Sequence, residues 1–96
     1  SSGAVESRLR EALRAASPLA RAGGAQVLGE SGVAAAVDQL IEATRDASPD
    51  VRRSAAIALG QIGAAAGTGP LRELAADPDE TVSYYAEWAL ARLGQG

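Results

Sequence analysis

The stretch "DASPDVRRSAAIALGQIG", Asp46 to Gly63, and the stretch "DPDETVSYYAEWALARLG", Asp77 to Gly94, carry one pattern twice, 31 places apart. At that offset Asp46 meets Asp77, Val51 meets Val82, Ala55 meets Ala86, Ala58 meets Ala89, Leu59 meets Leu90 and Gly63 meets Gly94. Within the first stretch Val51, Ala55, Ala58, Leu59 and Ile62 fall at i, i+4, i+7, i+8 and i+11, a single apolar stripe at the helical period. Strand alternation does not fit. A fainter copy lies 31 places earlier in "SPLARAGGAQVLGESG", where Ser17-Pro18 stands to Arg21, Leu28 and Gly32 as Ser48-Pro49 stands to Arg52, Leu59 and Gly63.

The segments between these copies repeat too. "LREALRA" from Leu9, "LIEATRD" from Leu40 and "LRELAAD" from Leu71 align their leucines and also Glu11, Glu42 and Glu73. Recurrence at a fixed period of this size is the signature of stacked supersecondary units, each too small to bury its own apolar face. The chain after Ser1-Ser2-Gly3, which reads as a cloning remnant, is expected to be one domain of three units, approximately 4–32, 33–63 and 64–94. Each unit reads as two helices, predicted over 4–16, 18–31, 34–45, 49–62, 69–76 and 80–93. The fold class is therefore all-α, a superhelical stack of three helical hairpins. Ser48 and Ser17, each before a proline, offer a capping hydroxyl at a position where Pro loses no needed N–H, and Asp79 takes that place in the third unit. Gly32, Gly63 and Gly94 mark helix ends, because glycine tolerates the left-handed conformation there. "GAAAGTGP", Gly63 to Pro70, reads as the one long flexible connector.

Composition narrows the function classes. The 96 residues include no Cys, His or Met, so carboxylates are the strongest groups left for proton transfer or metal binding. No catalytic constellation and no cofactor motif stands out, and the expectation is a protein that is not an enzyme. A net charge of −3 lacks the basic excess that gripping phosphates requires, so no nucleic-acid partner is expected. No apolar run approaches the ~20 residues of a membrane span, which points to a cytoplasmic location. All nine basic residues are Arg, and with abundant Ala and Gly this suggests a GC-rich bacterial source. The missing initiator Met suggests an excised piece.

The hairpin with Leu in its first helix, Asp at its turn and a Val-Arg followed by Ala-Ala-x-Ala-Leu-Gly-x-Ile-Gly closely resembles the HEAT-like repeat of phycobilisome-lyase-type proteins. "DASPDVRRSAAIALGQIG" carries the likeness almost position for position, and the likeness extends over nearly the whole chain. It implies a superhelix whose first helices line the convex side and whose second helices line a concave face where partners bind. It also implies a ladder between the turn Asp and the Val-Arg arginine. Asp46 and Arg52 match both positions; Asp77 keeps the acid while Ser83 replaces the base, and Arg21 keeps the base while Ala15 replaces the acid. Arg21 could reach Asp46, and Arg52 could reach Asp77, across successive units.

The third unit departs from the second in carrying Tyr84, Tyr85 and Trp88 where the second has Arg53, Ser54 and Ile57. Two readings stand. The rings are a binding anchor, since Trp and Tyr dominate interface hot spots, or they seal the last unit by packing against Ile57. Arg21, Arg52 and Arg53, on successive second helices, could form a basic strip suited to an acidic peptide; solvated or ion-paired arginines are the plainer account. Trp88, Arg52 and Asp46 faintly echo HEAT-like DNA glycosylases. The periodic Glu11, Glu42 and Glu73 read as solvated outer-face carboxylates. The expected function is a non-catalytic interaction scaffold that takes a protein or peptide on the concave face, with self-association through the C-terminal unit as a further route. The alternative is a fragment or regulatory region of a larger multi-repeat enzyme, chromophore-lyase-like or DNA-glycosylase-like.

Overall fold

The computed structural model describes residues 17–31 and 36–94, leaving aside the side chains of 19, 20 and 27–31. The predicted helix over 4–16, Ala15, the cap at Gly32 and the side chain of Leu28 lie outside the described residues. Among those described, every regular element is helical: α1 (Pro18–Ser31), α2 (Val37–Ala43), α3 (Pro49–Ile62), a 3-10 turn (Ala65–Gly67), α4 (Thr68–Leu74) and α5 (Glu80–Arg92). No helix among them is long and apolar enough to cross a membrane.

Why these residues form these helices follows from their ends. Pro49 sits in the first turn of α3, where no N–H is missed, and Gly63 closes it with φ at 73°, a left-handed conformation that a side chain would strain. The start needs one correction. Ser48 adopts the extended cap backbone but its hydroxyl makes no capping bond. Asp46 intervenes instead, its Oδ1 accepting from the Ser48 N–H at 2.9 Å, and Asp77 does the same for the Asp79 N–H at 2.9 Å. Asp79 is a true side-chain cap, accepting from the N–H groups of Thr81 at 2.9 Å and Val82 at 3.2 Å. The hydroxyl of Thr81 donates to the same oxygen at 2.6 Å, so these donors hold the Asp79 carboxyl below its ordinary pKa.

The helices stack as the 31-residue offset demands. α3 packs between α1 and α5 to form a row of second helices, while α2 packs on α3 and α4 on α5 to close each hairpin. Residues one offset apart share their surroundings: Val51 and Val82, Ala55 and Ala86, Ala58 and Ala89, and Leu40 and Leu71 are all fully buried. Leu59 is fully buried and Leu90 nearly so. Alanine fills most of this core, which lets helices approach closely. Gly60 shows how closely. A Cβ built on it would lie 2.8 Å from Trp88 Cζ3 and 2.9 Å from Ala89 Cβ, so α3 and α5 meet backbone to side chain at this point. Gly60→Ala should therefore destabilise the chain by ~1–3 kcal/mol through overpacking, offset only in part by the ~1 kcal/mol that Ala gains in helix propensity. A urea denaturation midpoint equal to or above that of the parent would contradict this contact.

The connector from Gly63 to Pro70 is ordered rather than flexible. Gly67 is buried, and a Cβ there would stand 3.3 Å from Leu59 Cδ2. The 3-10 turn over Ala65–Gly67 thus lies on Leu59, one of the largest fully buried side chains, and α4 begins directly after it. The predicted start at 69 moves one residue earlier, to Thr68.

Candidate functional site

The exposed side of the row formed by α1, α3 and α5 holds the candidate site. A groove of about 210 Å³ opens there, lined by Gln26 of α1 and by Arg53, Ser54, Ile57 and Gln61 of α3. Ser54 and Ile57 are smaller than their counterparts one unit on, Tyr85 and Trp88. The groove therefore opens where side chains are short, with the aromatic unit next to it. Its lining offers amides, a hydroxyl and a guanidinium around the aliphatic Ile57, groups suited to the polar backbone and side chains of a peptide. Sequence reasoning passed over Gln26, Ser54 and Gln61. The 31-residue alignment carried the signal, since it sets Ser54 against Tyr85 and Ile57 against Trp88.

The aromatics divide. Tyr84 is 64% exposed, the one large exposed apolar side chain among the described residues. Tyr85 and Trp88 are half-buried against the core, edge to face with centroids 6.4 Å apart. Tyr84 meets the Tyr85 ring at 5.1 Å in the same manner. Trp88 lies over Gly60, with the Arg92 guanidinium 5.1 Å from its ring centre. Arg92 Nε also donates to the Gly60 carbonyl at 3.1 Å, tying α5 to α3.

Arg21 and Arg52 do not lie open as parts of a basic strip. Arg21 donates from Nε and Nη2 to the two carboxylate oxygens of Asp46, at 2.7 and 2.9 Å. Arg52 repeats the fork on Asp77 at 2.9 and 3.2 Å and adds bonds from Nη1 to the carbonyls of Asp46 and Ala47. Each arginine thus joins its own unit to the next, and the bidentate geometry fixes their relative position. Arg53 stays at the groove, paired only on the surface with Asp50 at 3.1 Å. Ser83, where the ladder arginine is missing, donates its hydroxyl to the Ala75 carbonyl at 3.1 Å.

The Arg21 fork shifts both partners. Its hydrogen bonds hold the Asp46 carboxyl below the ordinary 3.8 against the opposing effect of burial, with smaller help from the Ser48 N–H and the charges of Arg21 and Arg52. The guanidinium of Arg21 is raised in turn, chiefly by the same bond. A depressed carboxyl stabilises the fold at pH values above its unfolded pKa, and that contribution fades as pH falls through the folded value. The gap in melting temperature between the parent and Asp46→Asn should therefore be full at pH 7 and shrink below pH 3.8. A gap that is constant or widens on acidification would contradict the pairing.

Among the described residues no group of His, Cys, Asp or Glu is gathered to hold a metal ion. A family model of HEAT repeats matches residues 6–91. The chain belongs to the HEAT-repeat family. No curated relative matches this HEAT array. Among solved structures it is similar to human deoxyhypusine hydroxylase in complex with glycerol, at 36% identity and a TM-score of 0.83. That likeness covers 92% of this chain and 31% of the hydroxylase chain, so the HEAT array spans less than a third of that protein's length.

This likeness overturns the expectation of a non-catalytic scaffold that is not an enzyme. The similar protein is an enzyme. The lack of His and Cys concerns only the side chains of these 96 residues. A HEAT array can form part of an enzyme whose reacting groups stand on other segments, and then its own composition says nothing about catalysis.

Proposed function

We propose that this array is a HEAT-repeat segment of a larger multi-repeat enzyme, and that the groove between α1 and α3 faces the protein or peptide on which that enzyme acts. One observation carries the reading: 92% of the chain superimposes at 36% identity on part of an enzyme. The likeness favours a hydroxylase over a chromophore lyase or a DNA glycosylase. The groove lining supports a peptide-like ligand, and the net charge of −3 disfavours nucleic acid. In this reading Tyr84, Tyr85, Trp88 and Arg53 contact such a ligand, while Arg21, Arg52, Asp46 and Asp77 hold the units in register. A cytoplasmic location suits this role.

An antibody raised against the chain, used on extracts of the source organism, should detect a polypeptide well above 9.6 kDa. In that polypeptide Ile57→Glu should raise KM for the substrate protein by ~10-fold while leaving kcat near its parent value, the mark of lost binding. A band at 9.6 kDa would contradict the enzyme-segment reading. An unchanged KM would contradict the role of the groove.

A further inference from the structure

We infer that the outer face of α5 is a closed end, onto which neither a further HEAT unit nor a second copy of this chain can stack as α5 stacks on α3. Burial along the two helices locates that face. Ala56 and Gly60 are buried in α3, yet their counterparts 31 places on, Glu87 and Ala91, are exposed. These are the positions that a second helix turns toward its successor. In α1 Ala25 is fully buried, and in α3 Ala56 and Gly60 are buried. Small side chains thus meet the next layer twice, and the third time they are replaced.

Each replacement opposes stacking for its own reason. A further layer in the same register would enclose the Glu87 carboxylate where the middle unit encloses the methyl of Ala56, and a buried charge without a partner is costly. Ala91 already carries the Cβ that at Gly60 would come within 2.8 Å of the facing ring and 2.9 Å of Ala89 Cβ. The ladder stops as well. Arg21 and Arg52 each reach the Asp of the following unit, whereas Ser83 turns its hydroxyl back to Ala75 within its own unit. Tyr84, 64% exposed, stands where the middle unit carries Arg53.

The opposite side of α5 keeps the repeat pattern. Val82, Ala86 and Ala89 are all fully buried, like Val51, Ala55 and Ala58. The core-facing apolar stripe of α5 is therefore kept while its outward positions Ser83, Glu87 and Ala91 change. Terminal repeats need a polar outer face to keep a stack from propagating, and Glu87 with Ser83 supplies one. Any repeats that follow α5 in a larger enzyme would belong to a separate stack.

The test is to append a copy of residues 33–63 directly after Gly94, where it follows glycine as residue 33 follows Gly32 in the parent, and to follow amide hydrogen exchange by mass spectrometry. On the parent face the appended unit should exchange as an unfolded peptide. On a face carrying Ser83→Arg, Glu87→Ala and Ala91→Gly it should gain protection of roughly 100-fold or more. Should that triple variant not fold, Glu87→Ala alone should give about 10-fold protection in the appended unit. Equal protection on the parent face would overturn the inference, and so would an appended unit left unprotected on every face.

Discussion

Replacing Leu59 by Ala should lower the unfolding free energy by ~2–5 kcal/mol, a large share of the ~5–15 kcal/mol typical of a domain. Leu59 is fully buried in the last turn of α3, and its side chain lies against Gly67 of the following unit. It belongs to one buried cluster with Leu40 of its own hairpin and Leu71 of the next, and beside it lies the 3-10 turn, with Gly67 close enough that a Cβ would be 3.3 Å away. Truncation leaves a cavity that α-helical backbone on several sides cannot collapse to fill. The loss should appear as a lower urea midpoint with the slope unchanged. Tyr84→Ala, at a site 64% exposed, should shift the same curve by less than ~0.5 kcal/mol. A Leu59→Ala curve that overlays the parent would remove α3 from the core.

Asp77→Ala should cost about 2–4 kcal/mol, because it strands a guanidinium in a mostly enclosed place. The Asp77 side chain is 8% exposed and that of Arg52 17%. The substitution removes both forks of the ion pair and the acceptor of the Asp79 N–H, and leaves Arg52 only the carbonyls of Asp46 and Ala47. Arg52→Met in the same background should restore part of the loss, since removing both partners leaves no unpaired charge behind. The double-mutant cycle should give a coupling of ~1–3 kcal/mol. The surface pair Arg53 with Asp50 should give no more than ~0.5 kcal/mol in the same cycle. Comparable couplings for the two pairs would mean that Arg52 and Asp77 do not hold the units together.

Local punctuation decided which parts of the fold were legible. α3 is readable to its last residue, because Ser48-Pro49 and Gly63 bracket an unbroken apolar stripe, and α5 lies between Asp79 and Gly94 in the same way. α2 and α4 lack such markers at their ends. They taper through i→i−3 bonds, as from the Asp46 N–H to the Ala43 carbonyl, and no residue type announces a taper. The connector was misread for a different reason. Gly67 looks like freedom in the sequence, yet its missing Cβ serves a contact with Leu59, which only the folded chain brings near.

The site was half legible. The 31-residue register already sets Arg21 within reach of Asp46 and Arg52 within reach of Asp77, and the forks that close there, between residues 25 apart, take both arginines out of the basic strip. The groove, by contrast, is written in the repeat itself, as short Ser54 and Ile57 opposite bulky Tyr85 and Trp88. That the array resembles part of an enzyme was legible only as the alternative reading that the family likeness carried, because reacting groups held on other segments leave no mark on these side chains.

The stacking of successive layers 31 residues apart is tested most directly by a two-dimensional NOE spectrum of the chain in solution. Trp88 is the single tryptophan, and its ring edge lies against Gly60 of the preceding layer. Strong cross-peaks between the Trp88 Hζ3 proton and the Gly60 Hα protons are predicted. A well-folded spectrum in which Trp88 shows contacts only within its own helix would contradict the stack.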